Sequence, residues 1–171
     1  MNTETNITEL ATRLIGALRH ELGEYGEMLA LLDQQREHVM IRAADEVLHS
    51  VAAVGDQTLK IQEARSAREA WQTQAAWALG QPNDPTFFAV IPLLPEPHRL
   101  AVAELVRENN DLLARIQERA RQNHLMLSRS LDLMQRFITH LTQVTQPTTY
   151  GDTGTLRANP APNLSIYESV A

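Results

Sequence analysis

The sequence predicts an all-α protein: an antiparallel bundle or coiled coil of three long helices with a disordered C-terminal tail. Two long tracts contain no proline, because none precedes Pro82 and none lies between Pro97 and Pro147. Proline inside a helix costs about 3 kcal/mol, so these tracts favour long helices. Apolar residues recur every seven positions in both tracts, as in packed helices. The residues after 147 are polar and rich in turn formers, which is typical of a flexible segment.

The first tract predicts two helices, at about residues 6–41 and 45–79. Asn6 and Asp45 are the expected N-terminal caps, and Gly80 is the expected stop of the second helix. We expect a turn between the helices because the seven-residue register is lost there, and a single helix would leave its far half unpartnered. The apolar line of the first helix consists of Ala11, Leu18, Tyr25, Leu32 and Val39.

A proline-rich connector follows at residues 81–97 and contains an apolar run at 87–91 with Leu93 and Leu94. Two interpretations of this segment are open. Its apolar side chains either plug the end of the bundle beside Trp71 and Trp77, or form an exposed strip on which a partner docks.

The second tract predicts the third helix, at about residues 98–145, which completes a bundle over 1–147 and leaves 148–171 as the tail. Its seven-residue line is Val106, Leu113, Ala120, Leu127, Met134 and Leu141. A polar waist interrupts the flanking apolar positions, at Asn109, Asn110, Asn123 and His124. Such asparagines either fix the helix register when buried or have no structural role when exposed.

Composition excludes several classes of protein. A net charge of −6 argues against a nucleic-acid binder. The chain has no cysteine, so it has neither disulfides nor thiolate metal sites. No apolar run approaches the roughly 20 residues that cross a bilayer, and residues 1–4 lack the basic start of a secretion signal. We therefore expect a cytoplasmic protein without membrane insertion.

Catalytic patterns are weak, and we expect no enzyme, no cofactor and no metal. Glu46 and His49 have the spacing of a di-iron ligand pair, but no second such pair exists in the chain. Residues 151–154 contain an Asp-Thr-Gly that in aspartic proteases belongs to a β-rich fold, whereas here it follows a helix. The acidic residues of the first helix, Glu21, Glu24 and Glu27, are expected to be solvated.

Four stretches of the sequence, at residues 31–37, 42–47, 109–113 and 149–154, together resemble the FlgN family of flagellar type III export chaperones. Residues 31–37 are similar to the leucine pair and Gln–Arg–Glu pattern of the family's first helix, and 42–47 occupy the place of its break, here without glycine. Residues 109–113, with Asn123 further on, resemble its asparagine-punctuated third helix. Residues 149–154 resemble the Tyr-Gly segment that follows that helix.

The resemblance implies a chaperone that binds hook-associated (hook–filament junction) proteins and delivers them to the flagellar export gate. Tyr150 is then the candidate contact with the export gate. The C-terminal half of the third helix has a wider apolar side than packing against one other helix requires. The second helix, its expected neighbour, is polar at 65–69, so we expect a groove between the two for a client helix. The candidate client-binding residues are Leu127, Leu131, Met134, Phe137, Ile138 and Leu141.

The same apolar stripes leave one alternative open. A non-enzymatic coiled-coil adaptor would self-associate through them and have no role in secretion. We expect a monomer or weak homodimer for the chaperone and a stable homo-oligomer for the adaptor.

Overall fold

The computed structural model describes residues 2–83 and 85–144, and these residues are helical with no β-strand. The long helices are α1 (Asn2–Met40), α2 (Ala44–Ala78) and α4 (Glu96–Val144). The all-α prediction is confirmed, but the count of three helices is not. A short fourth helix, α3 (Phe87–Val90), lies in the connector and is followed by a 3₁₀ turn at Ile91–Leu93.

The connector folds because its local sequence supplies both a cap and a tolerated proline. The Thr86 hydroxyl accepts a hydrogen bond from the Ala89 amide and so caps α3. Pro92 lies in the first turn of the 3₁₀ segment, where its missing N–H is not needed. Prolines therefore shorten the helices of this segment without preventing them.

Helices α1 and α2 end in the same C-terminal motif. Ala43 N–H bonds His38 C=O and Arg42 N–H bonds Val39 C=O at the end of α1. Gln81 and Gly80 repeat this pattern at the end of α2. This Schellman motif requires a positive φ at the residue after the cap, which is 59° at Arg42 and 77° at Gly80.

The two expected N-terminal caps are wrong. α1 begins at Asn2, so Asn6 lies inside the helix. α2 has Ala43 at its N-cap position without a side-chain hydrogen bond, and Asp45 lies in its first turn. There the carboxylate is still favourable, because the positive end of the helix dipole attracts it.

Hydrogen bonds between helices give the topology. Glu21 of α1 meets Arg68 of α2 and the later Glu24 meets the earlier Gln57, so these helices are antiparallel. Asn109 of α4 bonds Leu18 C=O and Asn123 bonds Leu32 C=O, both 91 positions apart, so α4 runs parallel to α1. The long helices thus run up, down and up, each antiparallel to the one before it.

The core of buried apolar side chains lies where the start of α1, the end of α2, the connector and the start of α4 meet. The seven-residue line of α1 is buried from Ala11 to Leu32, as predicted. The main core cluster consists of Ala11, Leu14, Leu18, Ala75, Ala76, Val90, Leu94, Val102 and Leu105.

The chain divides into two compact units, Met1–Ser128 and Arg129–Ala171. The first holds the packed helices above. The described part of the second is the helix from 129 to 144. Among the helices of the described residues, none combines the length and apolar character that a bilayer crossing requires.

Candidate functional site

The C-terminal part of α4 carries a row of exposed apolar side chains. Leu131, Met134 and Phe137 are 67%, 62% and 64% exposed, and Ile138 is 52% exposed. At about 100° per residue, Leu131, Met134 and Ile138 fall within a narrow arc and Phe137 flanks it. We call these four residues the apolar face.

The opposite side of the same helical segment is polar apart from Leu133. Asp132, Arg136 and His140 lie there, and all three are exposed. The segment is therefore an amphipathic helix whose apolar side chains are exposed. Isolated exposed apolar residues are ordinary, whereas a contiguous row of four is typical of an interaction surface.

The remaining predicted site residues are placed differently. Leu127 belongs to the first unit and is half-buried. The backbone of Leu141 is helical, but its side chain lies outside the described residues. Tyr150 and the whole predicted tail, 148–171, also lie outside them.

The expected polar stretch of α2 lies beside a different part of α4 from the one predicted. Arg65, Arg68 and Glu69 of this stretch line a cavity of about 280 Å³. Its other walls include Val106, Asn109 and Leu113 in the N-terminal half of α4. The up-down-up order explains this, because Arg68 pairs with Glu21 in the first half of α1, and that part of α1 runs beside the start of α4.

A buried ionic network forms one wall of this cavity. Glu21 is only 3% exposed, and its carboxylate accepts hydrogen bonds from Tyr25 Oη at 2.9 Å and from Arg68 Nε at 3.0 Å. Arg65 Nη2 donates to Tyr25 Oη at 2.8 Å. Arg68 also donates to Gln72 and lies over the Phe87 ring. The network joins α1 to α2 and fixes the direction of every polar group in it.

Burial is the main reason that the pKa of Tyr25 is raised. The hydrogen bond from Arg65 lowers this pKa by less than burial raises it, and the neighbouring Glu21 carboxylate raises it further. The Tyr25 hydrogen bond raises the pKa of Arg65. Glu21 offsets the two guanidinium charges in part. The polar donors of this wall are therefore already bound to acceptors within the protein, and the network stabilises the packing of α1 against α2.

The sequence pattern did not predict this network. Glu21 was expected to be solvated and is buried, and Glu24 is half-buried with its carboxylate accepting from Gln57 Nε2 at 2.6 Å. Glu27 is exposed, as predicted. The available signal was the spacing of Glu21 and Tyr25, four apart, opposite two arginines three apart on the next helix.

The apolar side chains of the connector are partly buried and partly exposed. Val90 and Leu94 are buried, and Phe87 and half-buried Trp71 both pack against the core, as the plug interpretation predicts. Trp77 is exposed, so the plug does not include both tryptophans. Phe88 is 91% exposed, and docking of a partner there stays a prediction.

The polar waist separates into two pairs. Asn109 and Asn123 are buried against α1, whereas Asn110 and His124 are exposed. Glu46 and His49 are exposed on α2. Across the described residues, no three histidine or carboxylate side chains lie close enough to hold a metal ion.

Comparison with known proteins gives one match. The family model described as FlgN protein matches residues 1–158, nearly the whole chain. No curated protein and no solved structure matches the chain.

Proposed function

Because this chain belongs to the FlgN family of flagellar export chaperones, we propose that it binds hook-associated proteins in the cytoplasm and delivers them to the type III export gate. The apolar face is the single observation that supports client binding most directly. A client's amphipathic helix would lay its own apolar side against this face.

The energy available at the apolar face suits a chaperone that must release its client. Fully burying a leucine-sized side chain contributes about 1.5–3 kcal/mol, and the four residues are already one-third to one-half covered. Their further burial therefore contributes about 4–8 kcal/mol in total. Association costs several kcal/mol, so flanking positions such as Leu127 and Leu141 complete the proposed site.

The composition of the apolar face supports the same assignment. Methionine at 134 suits such a surface, because its flexible side chain adapts to different partners.

Delivery rests on the family resemblance of residues 149–154, and we assign the export-gate contact to Tyr150. A Tyr150→Ala variant should keep its affinity for client and lose affinity for the purified cytosolic domain of the export gate. Equal binding of the gate by both proteins would remove Tyr150 from the assignment.

The client site is tested by two matched substitutions. Leu131 and Leu133 are 67% and 68% exposed and lie about 160° apart around α4, so Leu131 is within the apolar face, whereas Leu133 lies outside it, beside its edge at Phe137. Calorimetric titration with a purified hook-associated protein should show that Leu131→Asp weakens binding by about tenfold or more, because a carboxylate cannot be buried there without cost. Leu133→Asp should change affinity by less than about threefold.

The adaptor remains a second candidate, since a second copy of the chain could cover the apolar face instead. Sedimentation velocity separates the two. A monomer or weak homodimer that forms a 1:1 complex with client supports the chaperone. A stable homo-oligomer that Leu131→Asp dissociates, and that does not bind client, supports the adaptor.

A further inference from the structure

The buried apolar side chains that pack α4 against the rest of the first unit lie near its N-terminal end. Val102 and Leu105 are buried, and both belong to the main core cluster. From 109 to 128 the only buried side chains in this described part of α4 are Asn109 and Asn123. Its apolar residues there, such as Leu113 and Ile116, are half-buried. The fully buried apolar side chains of the described part of α4 thus lie in its first three turns.

Both asparagines bond α1 through their amide nitrogens only. Asn109 Nδ2 donates to Leu18 C=O at 3.1 Å, and Asn123 Nδ2 donates to Leu32 C=O at 2.7 Å and to Gln35 Oε1 at 3.0 Å. Their Oδ1 atoms are buried and have no hydrogen-bond partner. Each such acceptor loses its hydration on docking without compensation, which weakens the docked state.

At the same level of the bundle, the buried polar groups between α1 and α2 have more hydrogen-bond partners. Gln57 donates to the backbone and carboxylate of Glu24, and Glu21 accepts from Arg68. Ala64 and Met28 are buried there too. The cavity of about 280 Å³ lies beside Asn109 and Leu113, so α4 loses few contacts when it moves away at this level.

We infer that α4 has a built-in hinge near Asn109, about which residues 109–128 detach from the α1–α2 hairpin while Val102 and Leu105 stay docked. Across the detaching region, the polar contacts with α1 among the described residues include the Asn123 hydrogen bonds and the Arg119–Asp33 ion pair at 2.9 Å, and partly exposed ion pairs contribute little. Detachment uncovers the half-buried apolar side of α4 from Leu113 onward. This inference goes beyond the proposed function and does not depend on it, because the hinge needs no client.

Native-state hydrogen exchange on the full chain tests the hinge without any ligand. We expect backbone amides at 109–128 to exchange through a local opening, with protection at least about tenfold lower than that of amides at 14–32 and 57–76. Equal protection of the three segments would overturn the hinge, whatever the behaviour of any variant.

Two variants test the cause. Asn123→Ala removes the hydrogen bonds that its amide donates to Leu32 C=O and Gln35 Oε1, so protection at 109–128 should fall about tenfold, with α1 and α2 unchanged. Asn109→Ala removes the bond to Leu18 C=O and should act in the same direction. Asn110→Ala, at the exposed neighbour, should leave the profile unchanged. Equal effects at 109, 110 and 123 would contradict the assigned cause.

Discussion

Replacing Glu21 by alanine should destabilise the fold far more than an acidic-to-alanine change on the surface of the same helix. The carboxylate lies 3.0 Å from Arg68 Nε, and its side chain is almost completely buried. At that distance and an effective dielectric constant of about 20, the attraction is about 5 kcal/mol. Desolvation of both ions offsets most of it in the intact pair.

Removal of Glu21 alone leaves Arg68 without its main counter-ion while 85% of its side chain remains covered, since the exposed part is 15%. Breaking a buried pair in this way costs about 3–5 kcal/mol. Arg68 keeps its hydrogen bond to Gln72, so we take the lower end, about 3 kcal/mol. For a chain of this length that lowers the melting temperature by about 6–12 °C.

The assay is urea unfolding followed by circular dichroism, with Glu27→Ala as the matched control. Glu27 is exposed on the same helix and should cost no more than about 0.5 kcal/mol. Arg68→Ala added to Glu21→Ala should cost less than the sum of the two single changes, because they share one interaction. Equal destabilisation by Glu21→Ala and Glu27→Ala would refute the role of the network.

Three further outcomes are expected. In chemical unfolding, Arg42→Gly should stabilise the chain by about 0.5 kcal/mol, because glycine relieves the left-handed backbone strain by more than its added freedom in the unfolded state costs. Gly80→Ala should destabilise the chain by about 1 kcal/mol, and a change of the same sign in both variants would contradict the role of the positive φ. Burial raises the pKa of Tyr25, so the folded state favours its neutral phenol; that stability is fully present below pH about 10 and lost as the pH rises through the folded pKa, a loss that Tyr25→Phe should abolish in unfolding curves. Iodide should quench the fluorescence of Trp71→Phe, which retains exposed Trp77, more than that of Trp77→Phe, which retains Trp71 beneath Arg13; equal quenching would contradict the two placements.

The periodic positions predicted the buried faces well. Leu18 and Leu32 were expected on the inner side of α1 from spacing alone, and both are buried. The end of α2 was equally predictable, because Gly80 can adopt the positive φ that a Schellman motif requires. The break at 42 lacks glycine, yet Arg42 adopts the same conformation, so lost register proved a sufficient signal of a turn.

Polar side chains were the less predictable part. Glu21 is buried because two arginines from the facing helix meet it, and such long-range pairing is not encoded in the local sequence of α1. Asn109 and Asn110 are neighbours of identical type, and only the rotation of α4 decides which one is buried. The predicted start of α2 was wrong for a local reason, because Ala43 occupies the N-cap position without a side-chain hydrogen bond.

The candidate site was predictable as a row of apolar residues but not as a surface. The seven-residue spacing includes Leu127 and Met134 in one continuous line, yet Leu127 is half-buried and Met134 is exposed. Periodicity shows that a helix side must be covered, whereas only the structure shows which part its own chain covers.

The most direct test of client binding is the ratio of two dissociation constants for one purified hook-associated protein, measured with Leu131→Asp and with Leu133→Asp. The proposed site predicts a ratio of about ten or more, with both variants as helical as the parent chain by circular dichroism. A ratio near one would contradict it, because two equally exposed leucines on opposite sides of α4 would then contribute equally to binding.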